Sequence, residues 1–231
     1  MALTTKTMTV EEYLALEPEE GVKYEWINGD MYAMSGGRPR HNVVSYNVGI
    51  AFAGALDASP CWGATPDQRL YVRATEAFLF PDFMVVCPPW DMVDGDVQSV
   101  TNPTVVCEVL SPSTISYDRG AKFEHYRLVP SITDVLFIDP DRRSVTHFVR
   151  TETGWTRRDL EHGSLAIVSL DIELSDAAAV ASLRVPCGAC ARTGERLNSL
   201  WTRVHSPLRS DRQQVLAERA GHALEVGAAG E

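Results

Sequence analysis

The chain has 231 residues, is 45% hydrophobic and carries a formal net charge of -10, which suits one substantial core and argues against the broad basic surface of a protein that coats nucleic acid. No apolar run approaches the roughly 18 to 20 residues needed to cross a bilayer, and the N-terminus lacks a basic stretch followed by a long apolar one. A cytoplasmic protein with no membrane partner is therefore expected.

In chain order, Thr9-Val10-Glu11-Glu12 has capping-box spacing and predicts a short helix to about Leu16. Val22 to Ile27 and Asp30 to Met34 are strand-like runs joined by Asn28-Gly29, a strong hairpin signal. From Pro39 to about Ala58 apolar residues recur at helical spacing, and Pro60 ends the segment. Strands are expected at Arg69 to Val72, Leu79 to Val86 and Thr104 to Leu110, with a polar loop from Pro88 to Pro103. Asp118 to Val129 reads as a helix with Asp118, Lys122, His125 and Tyr126 along one side. Ile132 to Ile138 then reads as a strand, and Val145 to Arg150 with Trp155 to Leu160 as a hairpin through Gly154. The main domain is assigned to residues 1–182, and residues 183–231 to a linker with one marginal helix near Asp211 to Val226.

Of the five cysteines, Cys61, Cys87 and Cys107 fall in or beside apolar strands, where reduced thiols behave as small hydrophobes. Cys187 and Cys190 have the spacing of a metal knuckle, but a second pair is missing, so structural zinc is not expected.

Two acids have no simple structural reason for their positions. Glu108 interrupts the apolar run Thr104 to Leu110, and Asp82 interrupts Phe78 to Val86. Buried and unpaired, either would cost many kcal/mol, so each must be paired, protonated or bound to a cation. Carboxylates on adjacent strands about 4.8 Å apart can reach one ion, and magnesium or manganese would suit two such oxygens. Lys122, one turn into the following helix, could stabilise charge developing on a phosphate; otherwise it is a solvated lysine paired with Asp118. Tyr126 could orient it or simply pack. Glu25 is a candidate third acid, although an acid on an edge hairpin is usually solvated. Arg38, Arg40 and His41 open the first long helix, where they form either a phosphate contact or a solvated helix end.

Taken together, Thr9-Val10-Glu11-Glu12-Tyr13-Leu14, Tyr24-Glu25 ahead of Asn28-Gly29-Asp30, His41, Pro81-Asp82, Glu108-Val109-Leu110-Ser111-Pro112-Ser113-Thr114, Asp118, Lys122 and Tyr126 resemble the Uma-two family, a branch of the PD-(D/E)XK nuclease superfamily. The resemblance runs from Met8 to about Ala178. It implies an α/β (α+β) fold with a restriction-endonuclease-like core: helix-strand-strand-strand-helix-strand, a mixed central sheet flanked by helices, and extra hairpins. It also implies phosphodiester hydrolysis of nucleic acid, DNA foremost, with Mg2+ or Mn2+ held by Asp82 and Glu108. Glu25 matches the upstream acid, and Arg40, His41, Asp118 and Tyr126 would be supporting or phosphate-contacting groups. The superfamily lysine belongs two residues after the glutamate, where this chain has Leu110, so its role maps onto Lys122. A nuclease that cuts both strands often works as a dimer, which makes a homodimer compatible with this reading. A non-catalytic interaction module and a small-phosphoester hydrolase are the competing readings of the same residues.

Overall fold

Thr9 caps the first helix as its spacing predicts. In the computed structural model, which describes residues 3–4, 8–16, 22–34, 36–174 and 180–181, the Glu12 backbone N–H donates to Thr9 Oγ1 and the Thr9 N–H donates to the Glu12 carboxylate. Two amides without an intrahelical partner are thereby satisfied. Strand β1 (Leu3–Thr4) precedes this helix, α1 (Val10–Leu14), and the hairpin of β2 (Lys23–Ile27) and β3 (Asp30–Met34) follows it. The hairpin turns on Asn28 and Gly29 with φ of 47° and 96°, the positive values that a two-residue turn needs to match the twist of its strands.

Helix α2 (Pro39–Ala55) starts on a proline, whose missing N–H would have no partner there in any case. Its Val44, Val48 and Phe52 are buried against one face of a sheet, each side chain contributing about 1.5–3 kcal/mol. The chain continues through β4 (Trp62–Ala64), β5 (Arg69–Val72), β6 (Ala77–Leu79) and β7 (Phe83–Val86). The single strand expected over Leu79 to Val86 is thus two strands, and they belong to different sheets. Pro81 has no N–H for a ladder, the Phe80 N–H goes to the Glu25 side chain, and the Asp82 N–H faces the Glu108 carboxylate.

The polar stretch expected as a loop contains β8 (Met92–Val93) and β9 (Asp96–Val100). Arg69 fixes it by donating from Nη2 to both Asp96 oxygens at 3.0 Å, and β9 pairs parallel with β5. Next come β10 (Pro103–Val109), α3 (Ile115–Tyr117), a wide π-type turn over Asp118–Lys122, and α4 (Phe123–Arg127). The helical segment begins earlier than Asp118 and is kinked at Gly120 (φ -103°, ψ -105°). Strands β11 (Asp134–Asp139), β12 (Ser144–Thr151), β13 (Gly154–Leu160), β14 (Leu165–Ile167) and β15 (Ile172–Leu174) complete the described chain.

A seven-stranded sheet is ordered β1-β3-β2-β6-β5-β9-β8, a six-stranded sheet β13-β12-β11-β10-β7-β4, and β14-β15 form a ribbon. In the six-stranded sheet β10 and β11 run parallel, with α3 and α4 as their crossover, while the other neighbours are antiparallel. One face carries Phe83, Val85, Val105, Cys107 and Val109 beneath α2; the other carries Met84, Val86, Val106 and Phe137 beneath Tyr126 of α4. The core order of helix, three strands, helix, strand is present. Its first strand is β4, however, because β5 lies in the other sheet.

The cysteines depart from expectation. Cys61 and Cys87 form a disulfide with Cα atoms 4.1 Å apart, while Cys107 is free and buried. The antiparallel pairing of Trp62 with Val86 places the two flanking cysteines opposite one another, a proximity that sequence spacing alone does not reveal. No helix among the described residues is long and apolar enough to cross a membrane. The expected linker and helix over residues 183–231, including Cys187 and Cys190, lie outside the described residues.

Candidate active site

Two acids meet where the chain passes from one sheet to the other. Asp82 leads into β7 and Glu108 lies near the end of β10, and each carboxylate faces the other's backbone. The Val109 N–H donates to Asp82 Oδ2 at 2.7 Å, and the Asp82 N–H points at Glu108 Oε2 at 3.4 Å. Strand alternation sends Glu108 to the α4 face, with Val106, whereas Cys107 and Val109 point to α2.

Below Glu108 lies a fully buried Tyr126, whose hydroxyl donates to Oε1. Lys122, 3% exposed, joins the group from the wide turn. Its Nζ lies 2.9 Å from Glu108 Oε1 and 3.1 Å from Glu25 Oε1, and it donates to the Phe80 carbonyl at 3.1 Å. Glu25 is 1% exposed because β2 is an interior strand between β3 and β6; it is not the solvated edge acid that a lone hairpin would carry. Tyr117 donates to Glu25 Oε2 at 2.9 Å. Three donors therefore hold Glu25, and Glu25 helps to hold Lys122.

His41 reaches in from the first turn of α2, with Nε2 3.1 Å from Asp82 Oδ2 and Nδ1 3.4 Å from Ser45 Oγ. A Cβ at position 37 would fall 2.9 Å from His41 Nδ1 and 2.5 Å from Asn42 Oδ1, so Gly37 makes room for the imidazole. A cavity of about 600 Å³ opens above these groups, lined by Asp82, Glu108, Asp118, Lys122, His41 and Arg38 among others. Glu25 and Tyr126 lie behind it. Arg40 instead pairs with Asp141 at the surface, and His125 turns away to Thr75.

Four carboxylates, those of Glu25, Asp82, Glu108 and Asp118, surround one ammonium and one imidazole. Burial pushes the Glu108 carboxyl well above its ordinary range; Lys122 pulls it down, and Asp82 and Asp118 push it further up. Burial alone would lower Lys122, but Glu108, Glu25, Asp118 and Asp82 outweigh it and hold the ammonium well above its ordinary value. Burial also raises the Asp118 carboxyl, to about 6, against the pull of Lys122 and a hydrogen bond from Thr114. At His41 burial opposes the charged ring, yet the bond to Asp82 prevails and the value rises. The surplus is acidic, which is the condition a cation relieves.

The donor set fits a hard divalent ion. Asp82 and Glu108 offer oxygens on rigid neighbouring backbone beside an open cavity, the partial coordination that magnesium accepts while keeping several waters. Among the described residues, no group of three or more His, Cys, Asp or Glu side chains is placed to hold a metal ion; an ion held by two carboxylates alone would leave most coordination places to water or a phosphate oxygen.

Of the groups in this arrangement, Tyr117 had no sequence signal. It comes five positions before Lys122, a spacing that becomes meaningful only because the turn between them is π-wide. The Phe80 carbonyl is likewise invisible in the sequence, since it depends on the break between β6 and β7.

Residues 10–181 match the Uma2 family, described as "Putative restriction endonuclease". Two relatives from Synechocystis sp. are similar: uncharacterized protein slr1290, 34% identical over 64% of this chain and 76% of its own length, and uncharacterized protein sll1609, 31% identical over 63% and 82%. A crystal structure described as that of "a putative nuclease belonging to DUF820" from Anabaena variabilis superposes with a TM-score of 0.61 at 17% identity, covering 75% of this chain and 99% of that one. The match spans α1, both carboxylates and the Lys122 turn, and the chain belongs to the Uma2 family with a restriction-endonuclease-like fold.

Proposed function

We propose that this protein is a divalent-metal-dependent endonuclease that hydrolyses phosphodiester bonds, with DNA as its substrate. The observation that carries the reading is Lys122, buried and charged, held between Glu108 and Glu25 at the base of a cavity that Asp82 also lines. Asp82 and Glu108 would hold Mg2+ or Mn2+. When bound, such an ion supplies a water of lowered pKa and neutralises charge on the phosphoryl oxygens.

The protein's own groups do the rest. Lys122 presents an ammonium to the negative charge that grows on a phosphate in the transition state, in a setting from which most water is excluded. Glu25, with Tyr117 and the Phe80 N–H behind it, fixes the lysine without solvent. Tyr126 sets the orientation of Glu108, and His41 that of Asp82. A non-catalytic interaction module has no use for four acids crowded around one ammonium, because each uncompensated buried charge costs several kcal/mol.

The test is cleavage of circular single-stranded DNA and supercoiled plasmid with Mg2+ or Mn2+ by the wild type, Asp82→Asn and Glu108→Gln. Metal-dependent opening of the circles by the wild type alone is expected. Equal cutting by the acid variants, or none by the wild type with either ion, would sink the reading.

A further inference from the structure

We infer that the substrate enters the cavity as an unpaired strand rather than as intact duplex, with Tyr46 as a stacking platform for a base beside the scissile phosphate. This rests on the phosphodiesterase reading of the cavity and adds the form of nucleic acid it takes.

The depth of the reacting groups is the first reason. The side chains of Glu108, Lys122 and Asp82 are 2%, 4% and 15% exposed. A phosphate must therefore enter the cavity to meet them. Duplex is stiff, with a persistence length of about 50 nm, and deforming it costs energy. A single strand rotates about each backbone bond and can feed one phosphate inward.

Charge is the second reason. Binding to duplex depends on neutralising many phosphates along a track. Here Lys23 is engaged by Asp67, Arg40 by Asp141, and Lys122 by Glu25 and Glu108. Among the described residues, Arg38 is the cavity-lining cation outside an ion pair, and the whole chain carries -10. One available guanidinium suits a single phosphate next to the reacting one; it does not suit two backbones.

Tyr46 is the third. It is 59% exposed, and it lies one turn beyond Asn42 and two beyond Arg38, both of which line the cavity. Positions four apart are neighbours on one helix face, with about 6 Å between them along the axis. An aromatic left in water contributes little to the core. Beside a phosphate-binding cavity it offers what sequence-tolerant binding of single strands uses, a ring on which any base can stack.

The experiment measures anisotropy of labelled single-stranded DNA, single-stranded RNA and duplex of one sequence, titrated with full-length Glu108→Gln protein so that nothing is cut. At equal salt, a single strand should bind about tenfold more tightly than duplex, Tyr46→Ala should weaken that binding about tenfold, and Tyr46→Phe should retain it. The DNA and RNA arms identify which sugar is preferred. Duplex bound as tightly as single strand, or Tyr46→Ala bound as tightly as its parent, would overturn the inference. Binding that passes without metal-dependent cleavage of any strand by the wild type would overturn the phosphodiesterase reading alone.

Discussion

Asp134 and Glu108 are both buried acids on neighbouring strands of the six-stranded sheet, at 1% and 2% exposure, yet their surroundings drive their carboxyls in opposite directions. Asp134 accepts from His147 Nε2 at 2.7 Å, from Thr133 Oγ1 at 2.7 Å and from Ser169 Oγ at 2.6 Å. Burial would raise it, but those bonds prevail and its pKa is lowered. Glu108 has Lys122, Tyr126 and the Asp82 N–H as donors, but it shares Lys122 with Glu25 and stands among further acids, so burial prevails. Burial alone does not distinguish a structural acid from a reactive one. The balance of donors to acids does: three donors serve Asp134, whereas Glu108 shares Lys122 with Glu25 and stands among further acids beside a cavity.

A pair of isosteric changes separates the two acids. Asp82→Asn should lower metal-dependent cleavage about a thousandfold while leaving metal-free thermal stability unchanged or higher, since it removes one of four crowded acids. Asp134→Asn should do the reverse, losing about 3 kcal/mol in denaturant unfolding with cleavage per folded molecule intact. If both changes affected stability alone, the distinction would collapse.

Lys122→Met comes next. It should cut turnover about a hundredfold and also destabilise the metal-free protein, because Glu25 and Glu108 lose their shared ammonium; added Mg2+ should then raise the melting temperature of the variant more than that of the wild type. A melting temperature that magnesium does not shift would speak against a cation between these acids.

The two regions should also respond to pH with opposite sign. The Asp118 carboxyl is raised from 3.8 to about 6, so its contribution favours folding below the ordinary carboxylate value and is lost as pH rises through about 6. Asp134 is lowered, so its contribution is present above the ordinary value and disappears only as pH falls through its depressed one. Metal-free wild type should therefore lose stability between pH 4 and about 6 relative to Asp118→Asn, whereas the advantage over Asp134→Asn should vanish only in stronger acid. Unfolding midpoints across that range check both.

The smallest effect expected is for Tyr117→Phe, which removes one hydrogen bond to Glu25. Turnover should fall about fivefold, as for one net hydrogen bond, with KM unchanged. A change in KM alone would place Tyr117 in substrate binding instead.

Much of this was legible from residue order. The capping box at Thr9, the Asn28-Gly29 turn and the periodicity of α2 are local signals, and each element formed where it was expected. The acids were conspicuous because a carboxylate within an apolar run has few inexpensive explanations. The run from Leu79 to Val86 misled because continuous hydrophobicity reports burial and not continuity, and two short strands in two sheets are as apolar as one long strand. The β8–β9 hairpin was hidden because its polar residues find partners distant in sequence, notably Arg69.

Residue order alone is enough for the capped first helix, the Asn28-Gly29 hairpin, α2, the family resemblance and the prominence of Asp82 and Glu108, because caps, turns and misplaced charges act over a few residues. Which cation those acids face, which acids stand behind it and which cysteines meet depend on how distant segments pack. Lys122 joins Glu25 across 97 positions of chain only because β2 pairs with β6 and the kinked turn brings Lys122 to the Phe80 carbonyl just past β6, and Cys61 finds Cys87 only because β4 lies on β7. Electrostatic balance depends on distance in space, which strand pairing and crossover set and no local pattern encodes.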